Sequence, residues 1–167
     1  KDGTFSVEPK IISQDRLQDL NDNLMLFFTG ISRFSSEIAE SQISNMKKCH
    51  SQMHELQDMV DEASSILGNL NTPLDEFGKL LNKAWENKRS LSDKVTNTQI
   101  DELYNAAIKA GALGGKILGA GGGGFILFFA KPENQDRVKA ALADLTYVPF
   151  KFENTGSKVV LYQPDGF

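Results

Sequence analysis

Six residues constrain this chain more than any others. Gly119-Ala120-Gly121-Gly122-Gly123-Gly124 runs straight into the apolar segment Phe125–Ala130. Consecutive glycines lose much backbone entropy on folding and weaken a neighbouring strand. Bare backbone must therefore be required here. It serves either tight turning at positive φ or the close approach of a ligand, or of another loop, to exposed N–H groups. The same letters satisfy G-x-G-x-x-G, the dinucleotide fingerprint. That fingerprint needs a strand before it and a helix after it, with the helix N-terminus aimed at the pyrophosphate. Here a strand follows instead, and the dinucleotide reading fails. The G-x-x-x-x-G-K-[ST] loop is absent as well, since Phe125 follows Gly124. Two readings remain: a phosphate-side loop of another class, or a wide hairpin connection packed under a helix.

The 167 residues suffice for one domain with a real core. Hydrophobic residues at 40% and charged residues at 24% are ordinary globular values. A net charge of −4 leaves no footprint for nucleic acid. The single cysteine, Cys49, excludes an internal disulfide and suits a reducing compartment. No apolar stretch reaches the roughly 20 residues that span a bilayer, and no signal peptide opens the chain. A cytoplasmic location is expected. The opening Lys1-Asp2-Gly3-Thr4 carries a hairpin-turn signal with no strand before it. An N-terminal part is expected to lie outside this chain.

The hydrophobic pattern sets the expected elements. A strand at Thr4–Pro9 precedes a helical turn at Ser13–Leu20 capped by Ser13. Leu24–Phe28 reads as a buried strand. Ala39, Ile43, Met46, Met53, Leu56, Val60, Ala63 and Leu67 recur at helical spacing. They predict one long helix, or two nearly collinear ones broken near Lys47–Ser51, with the methionines filling core. Thr72-Pro73 starts a helix whose stripe is Leu74, Phe77, Leu81 and Ala84. Thr98 starts another, with Ile100, Leu103, Ala107 and Ile108 inward and a stop at Gly111. Strands flank the glycines at Lys116–Leu118 and Phe125–Ala130. A helix follows at Glu133–Asp144, with Val138, Ala141, Leu142 and Leu145 toward the sheet. Tyr147–Glu153 and Lys158–Gln163 predict a closing hairpin. The order predicts a two-layer α+β domain, with an antiparallel sheet, split βαβ (ferredoxin-like) character and extra helices.

Two further groups carry chemistry. Thr29-Gly30-Ile31-Ser32-Arg33-Phe34-Ser35-Ser36 leaves a buried strand and enters a helix. A helix N-terminus offers free N–H groups, Arg33 a bidentate fork, and Thr29, Ser32, Ser35 and Ser36 hydroxyls. This chemistry suits an anion or a sugar. The alternative is a helix capped by Ser35 or Ser36 with Arg33 in solvent. Asn82, Lys83, Trp85, Glu86, Lys88 and Arg89 crowd the end of another helix, where cations also answer the helix dipole. His50 and His54 stand one turn apart without a third ligand, so no metal site is expected.

These segments resemble the GHMP small-molecule kinases, the family of galactokinase, homoserine kinase, mevalonate kinase and phosphomevalonate kinase. Lys116-Ile117-Leu118, the glycines and Phe125-Ile126-Leu127 are similar to its third conserved motif. Leu26–Glu37 is similar to the strand-to-helix segment that faces its active site. Leu80–Ser92, Ile100–Tyr104 and Gly111–Lys116 resemble the branch acting on heptose 7-phosphate. The resemblance covers nearly the whole chain. It implies the family's C-terminal domain over residues 1–167. The implied reaction moves the γ-phosphoryl of ATP, with Mg²⁺, to the anomeric hydroxyl of D-glycero-D-manno-heptose 7-phosphate. Its product, the 1,7-bisphosphate, would feed nucleotide-activated heptose and surface-glycan synthesis. In the family the loop P-x-x-x-G-L-G-S-S-A and the catalytic Asp belong to an N-terminal domain. Neither is found in this sequence, so no catalytic residue is assigned.

The resemblance assigns Gly119, Ala120, Gly121, Gly122, Gly123 and Gly124 to the nucleotide side. Thr29, Arg33 and Ser35 go to the sugar, and Lys83, Lys88 and Arg89 to its 7-phosphate. The expected partners are ATP, a sugar phosphate and the N-terminal domain. A homodimer is compatible; nucleic acid, membrane and metal-site roles are not expected. Little or no kinase activity is expected of the chain alone. Gly122→Val is expected mainly to reduce ATP use while leaving the fold largely formed. Two alternatives stand: another sugar, such as fucose, or a non-catalytic ferredoxin-like ligand-binding domain.

Overall fold

Leu24–Phe28 (β1) is the inner strand on which the sheet is built. The computed structural model describes residues 7, 9–153 and 156–159. In it β1 pairs antiparallel with Phe125–Phe129 (β3) on one side and Thr146–Tyr147 (β4) on the other. Gly114–Ile117 (β2) pairs antiparallel with β3, giving the order β2-β3-β1-β4. This is the split βαβ arrangement expected from the sequence.

Alternation decides the faces. Met25 and Phe27 of β1, with Ile126 and Phe128 of β3, enter the main core and are essentially inaccessible. Thr98–Ala110 (α5) and Pro132–Ala141 (α6) contribute to this core through Ile100, Tyr104, Ala107 and Val138. Leu24 and Phe129 point into a second cluster, joined by Leu20 of Gln14–Asn23 (α1). At the other end of the strands Phe28 and Phe125 remain partly exposed, their rings 5.1 Å apart. The glycine loop lies at that end.

Asp75–Arg89 (α4) packs closely along β2. A Cβ on Gly114 would collide with the carbonyl of Gly78, so bare backbone sets this spacing. Trp85 of α4 is fully buried against Tyr104, ring centroids 6.0 Å apart. Ser35–Asn45 (α2), a 3₁₀ turn at Met46–Lys48, and His50–Gly68 (α3) form the long helical arm, broken where the sequence weakens. Arg16 stops α3: its buried guanidinium donates to the carbonyls of Ile66 at 2.7 Å and Thr72 at 2.6 Å. The Ile66 carbonyl is one that a helix end leaves unpaired, and Thr72 lies in the turn beyond.

Several expectations need correction. The arm buries Ile38, Met59 and Ile66, whereas Ile43 and Val60 are 65% and 63% exposed. The 3₁₀ turn separates the two helices, so one stripe does not serve both. Met25 and Met59 fill core, but Met46 and Met53 face outward. The helix α4 begins at Asp75 with Leu74, not Thr72, at its cap position and no side-chain cap hydrogen bond. The cap of α5 is Asn97, whose side chain accepts from the Ile100 amide at 3.0 Å, one residue before Thr98. The last helix ends at Ala141, which is exposed, while Leu142 and Val138 are buried. The expected strand at Thr4–Pro9 falls largely outside the described residues, and Val7 and Pro9 join no element. Of the closing hairpin only the two residues of β4 form strand; most of its second arm lies outside the described residues.

Candidate functional site

The glycine loop is held from several directions. From the β1–α2 connection, Thr29 donates both its amide, at 2.9 Å, and its hydroxyl, at 2.8 Å, to the Gly124 carbonyl. The Gly124 amide answers to the Ile31 carbonyl at 2.9 Å. From the α4–α5 connection, the Val95 carbonyl accepts from the Gly122 amide at 2.8 Å. From α2, the Gln42 amide donates to the Ala120 carbonyl at 2.8 Å. From α4, the Lys88 ammonium donates to the Gly119 carbonyl at 2.5 Å.

Close packing explains part of the glycine requirement. A Cβ at Gly123 would strike the Ile31 carbonyl, and one at Gly121 would lie 2.7 Å from the Val95 oxygen. At Gly119 nothing lies within 4 Å, and its φ of +68° is what excludes most side chains.

The held carbonyls leave amides over. Among the described residues, the N–H groups of Gly119, Ala120, Gly121 and Gly123 have no acceptor in the protein. Successive free amides in such a turn form an anion-binding concavity. They border a cleft of about 310 Å³ whose other wall includes Ser32, Arg33 and Ser35. A second cleft of about 250 Å³ adjoins it, lined by Arg33, Glu37, Lys94, Thr96, Asn97 and Gly122. Arg33 lines both. A third, of about 410 Å³, holds Gln42, Lys88 and Lys116 against Ile43, Met46 and Met53. Burial first, and then the charge of Lys116, pushes the Lys88 ammonium down to about 8. In a chain of net charge −4, the surroundings of the loop are cationic. Among the described residues no three His, Cys, Asp or Glu side chains converge as a metal cage.

The structure brings Gly119–Gly124, Arg33, Ser35 and Lys88 together. Three other assigned residues lie outside this group. Thr29 is buried, and its hydroxyl donates to the Gly124 carbonyl and accepts from the Ile31 amide at 3.2 Å, holding the end of the loop. Arg89 binds the Asp101 carboxylate at 3.2 Å and lies over the Trp85 ring, so it is committed within the fold. Lys83 is exposed and borders none of the three clefts. Sequence reasoning missed Gln42, Lys94, Asn97 and Lys116. Lys116 carried a signal, standing immediately before the loop; the others carried none, because only tertiary packing brings them there.

The sequence pattern described as GHMP kinases C terminal matches residues 38–147. A D-glycero-alpha-D-manno-heptose 7-phosphate kinase of Campylobacter jejuni is 30% identical over 157 residues, 91% of this chain and 45% of that protein. An L-fucokinase/L-fucose-1-P guanylyltransferase of Bacteroides fragilis is 31% identical over 132 residues, 75% of this chain and 14% of that protein. The chain thus spans less than half the length of these curated relatives. Among solved structures, Methanococcus jannaschii mevalonate kinase matches with a TM-score of 0.68 at 19% identity, over 90% of this chain and 44% of that one. A D-glycero-D-manno-heptose 1-phosphate kinase from Bacteroides thetaiotaomicron matches with a TM-score of 0.55 at 24% identity, over 88% and 38%. Both share the fold.

Proposed function

We propose, from the premise that this chain belongs to the GHMP kinases and carries their C-terminal domain, that it forms one half of an ATP-dependent sugar-phosphate kinase active site. The acceptor is a heptose 7-phosphate, and the γ-phosphoryl passes to its anomeric hydroxyl. The observation that carries this reading is the loop Gly119–Gly124, held by six neighbours, Asn97 included, while four of its amides stay open beside Arg33.

The residues fit the phosphate groups of ATP. The amides of Gly119, Ala120, Gly121 and Gly123 are preorganised donors, so no reorganisation is needed as charge develops on the transferring group. Arg33 adds a planar fork to the same cleft, suited to two phosphate oxygens. The hydroxyls of Ser32 and Ser35 border the cleft and suit a sugar. When bound, ATP supplies the phosphoryl group, and Mg²⁺ neutralises its charge. No side chain of this chain is assigned to the metal or to the base that takes the sugar proton. Those roles are expected of an N-terminal domain, as are the remaining nucleotide contacts.

The fucokinase relative favours a second reading, in which the acceptor is fucose. The test is ADP release by the full-length protein containing this chain, with heptose 7-phosphate or fucose as acceptor. Turnover with the heptose phosphate is expected, and little or none from the isolated chain. Turnover with fucose alone would replace the acceptor. No turnover with any sugar or sugar phosphate would remove the kinase reading. Binding of a ligand by the isolated chain, together with no turnover by the full-length protein, would favour a non-catalytic binding domain.

A further inference from the structure

We infer that Lys88 of α4 and Lys116 of β2 form a subsite for the distal phosphate of the acceptor, beside the cleft where phosphoryl transfer takes place. The inference rests on the kinase reading for the identity of the acceptor. It rests on geometry for the anion.

Both lysines line the cavity of about 410 Å³, which contains no carboxylate in its lining. The nearby acids are spent elsewhere: Glu55 accepts from Asn87 at 2.7 Å, and Glu86 from Asn82 at 3.0 Å. Among the described residues the Lys116 side chain has no hydrogen bond or ion pair. Two ammonium groups sharing one cavity without a counter-charge repel each other, and the depressed basicity of Lys88 reports that repulsion together with burial. A bound dianion would relieve it. The buried Leu91 in the cavity's wall keeps part of it from water and strengthens the attraction.

Position selects the acceptor over ATP. The cavity shares no lining residue with the cleft that holds Arg33 and the open amides. It is nevertheless tied to that cleft through the loop itself: Lys88 grips the Gly119 carbonyl, and Gln42, in the same cavity, grips that of Ala120. An elongated molecule with phosphate on Lys88 and Lys116 would cross Gly119-Ala120 and present its other end beside Arg33. A sugar carrying its phosphate far from the anomeric carbon has that shape. Of the three cations expected at the 7-phosphate, Lys88 is kept, and Lys116 takes the place of Lys83 and Arg89.

The test is an NMR titration of the chain with its lysines ¹³C-dimethylated, a modification that keeps the charge. The probes are inorganic phosphate, a heptose 7-phosphate and ATP. Inorganic phosphate and the heptose phosphate should each raise the Lys88 titration midpoint saturably. Lys116→Met should weaken that binding about tenfold, the scale of one lost charge-assisted hydrogen bond, and Lys116→Arg should restore most of it. Thermal melting confirms that each variant is folded. In the full-length protein Lys116→Met should raise KM for the heptose phosphate about tenfold and leave KM for ATP unchanged. No response of Lys88 to phosphate, or a response indifferent to Lys116→Met, overturns the subsite. A response to ATP alone assigns the lysines to the nucleotide and overturns it too. Absence of turnover in the wild type would remove the kinase reading only, since the titration with inorganic phosphate needs no catalysis.

Discussion

Thr29 and Gly124 are joined twice, the amide and the hydroxyl of one residue both donating to the carbonyl of the other, at 2.9 and 2.8 Å. The pair welds the end of β1 to the end of the glycine loop. Thr29→Val keeps the shape and deletes the hydroxyl. It leaves the Ile31 amide without its acceptor in a partly buried place. A loss of about 1–3 kcal/mol in denaturant unfolding is expected, with Thr29→Ser milder. Equal stability of Thr29→Val and wild type would free the hydroxyl for the substrate role that the sequence pointed to.

The glycines of the loop should not be equivalent. Gly123→Ala drives a Cβ into the Ile31 carbonyl, backbone against backbone, and is expected to cost about 2–3 kcal/mol. Gly119→Ala meets open space and carries only the left-handed strain, about 1–2 kcal/mol. Gly122→Val places a branched side chain where Cβ alone lies 2.5 Å from Ile38 Cδ1 and 3.3 Å from Arg33 Cγ. It is therefore expected to lower stability as well as ATP use, a larger effect on the fold than the mainly functional one inferred from sequence. Urea melts of the three variants would rank them.

Lys88 gives a pH signature with a defined sign. Its folded value is about 8, against an ordinary 10.5. Below pH 8 the folded and unfolded chains are both protonated there, and the folded chain bears the whole cost. Between pH 8 and 10.5 the folded chain sheds this proton first, so the unfolded chain binds more protons and stability rises with pH. Comparing wild type with Lys88→Met from pH 7.5 to 9.5 should show this rise only in wild type. Phosphate affinity should fall over the same interval, as the ammonium loses its charge.

The helical arm allows a direct comparison of neighbours. Met59 is buried and Val60 is 63% exposed. Met59→Ala should cost about 2–4 kcal/mol through its cavity, and Val60→Ser less than about 0.5 kcal/mol. Reversed sensitivities would restore the stripe read from the sequence.

Arg16 ends α3 from a distance, donating to Ile66 and Thr72 while buried. Arg16→Met keeps much of the packing but strands those carbonyls. A loss of about 2–4 kcal/mol is expected. Hydrogen exchange should quicken first near residues 66–72.

Local chemistry made much of this protein legible. The apolar runs of β1 and β3, the cap at Ser13, the stop at Gly111 and the break in the arm near Lys47 depend on neighbours a few residues away, and each stands as the sequence implied. The glycine run declared that bare backbone was needed beside a strand. What it needed that backbone for was a tertiary matter: Ile31, Val95 and Ile38 press against it, and amides left unpaired by those contacts open toward Arg33. The exposed face of the arm, the burial of Thr29, and the pairing of Lys88 with Lys116 were likewise decided only in three dimensions. Periodicity tells that a helix has an apolar face but not which neighbour will cover it. Charge along the chain likewise does not tell which cations will share one cavity.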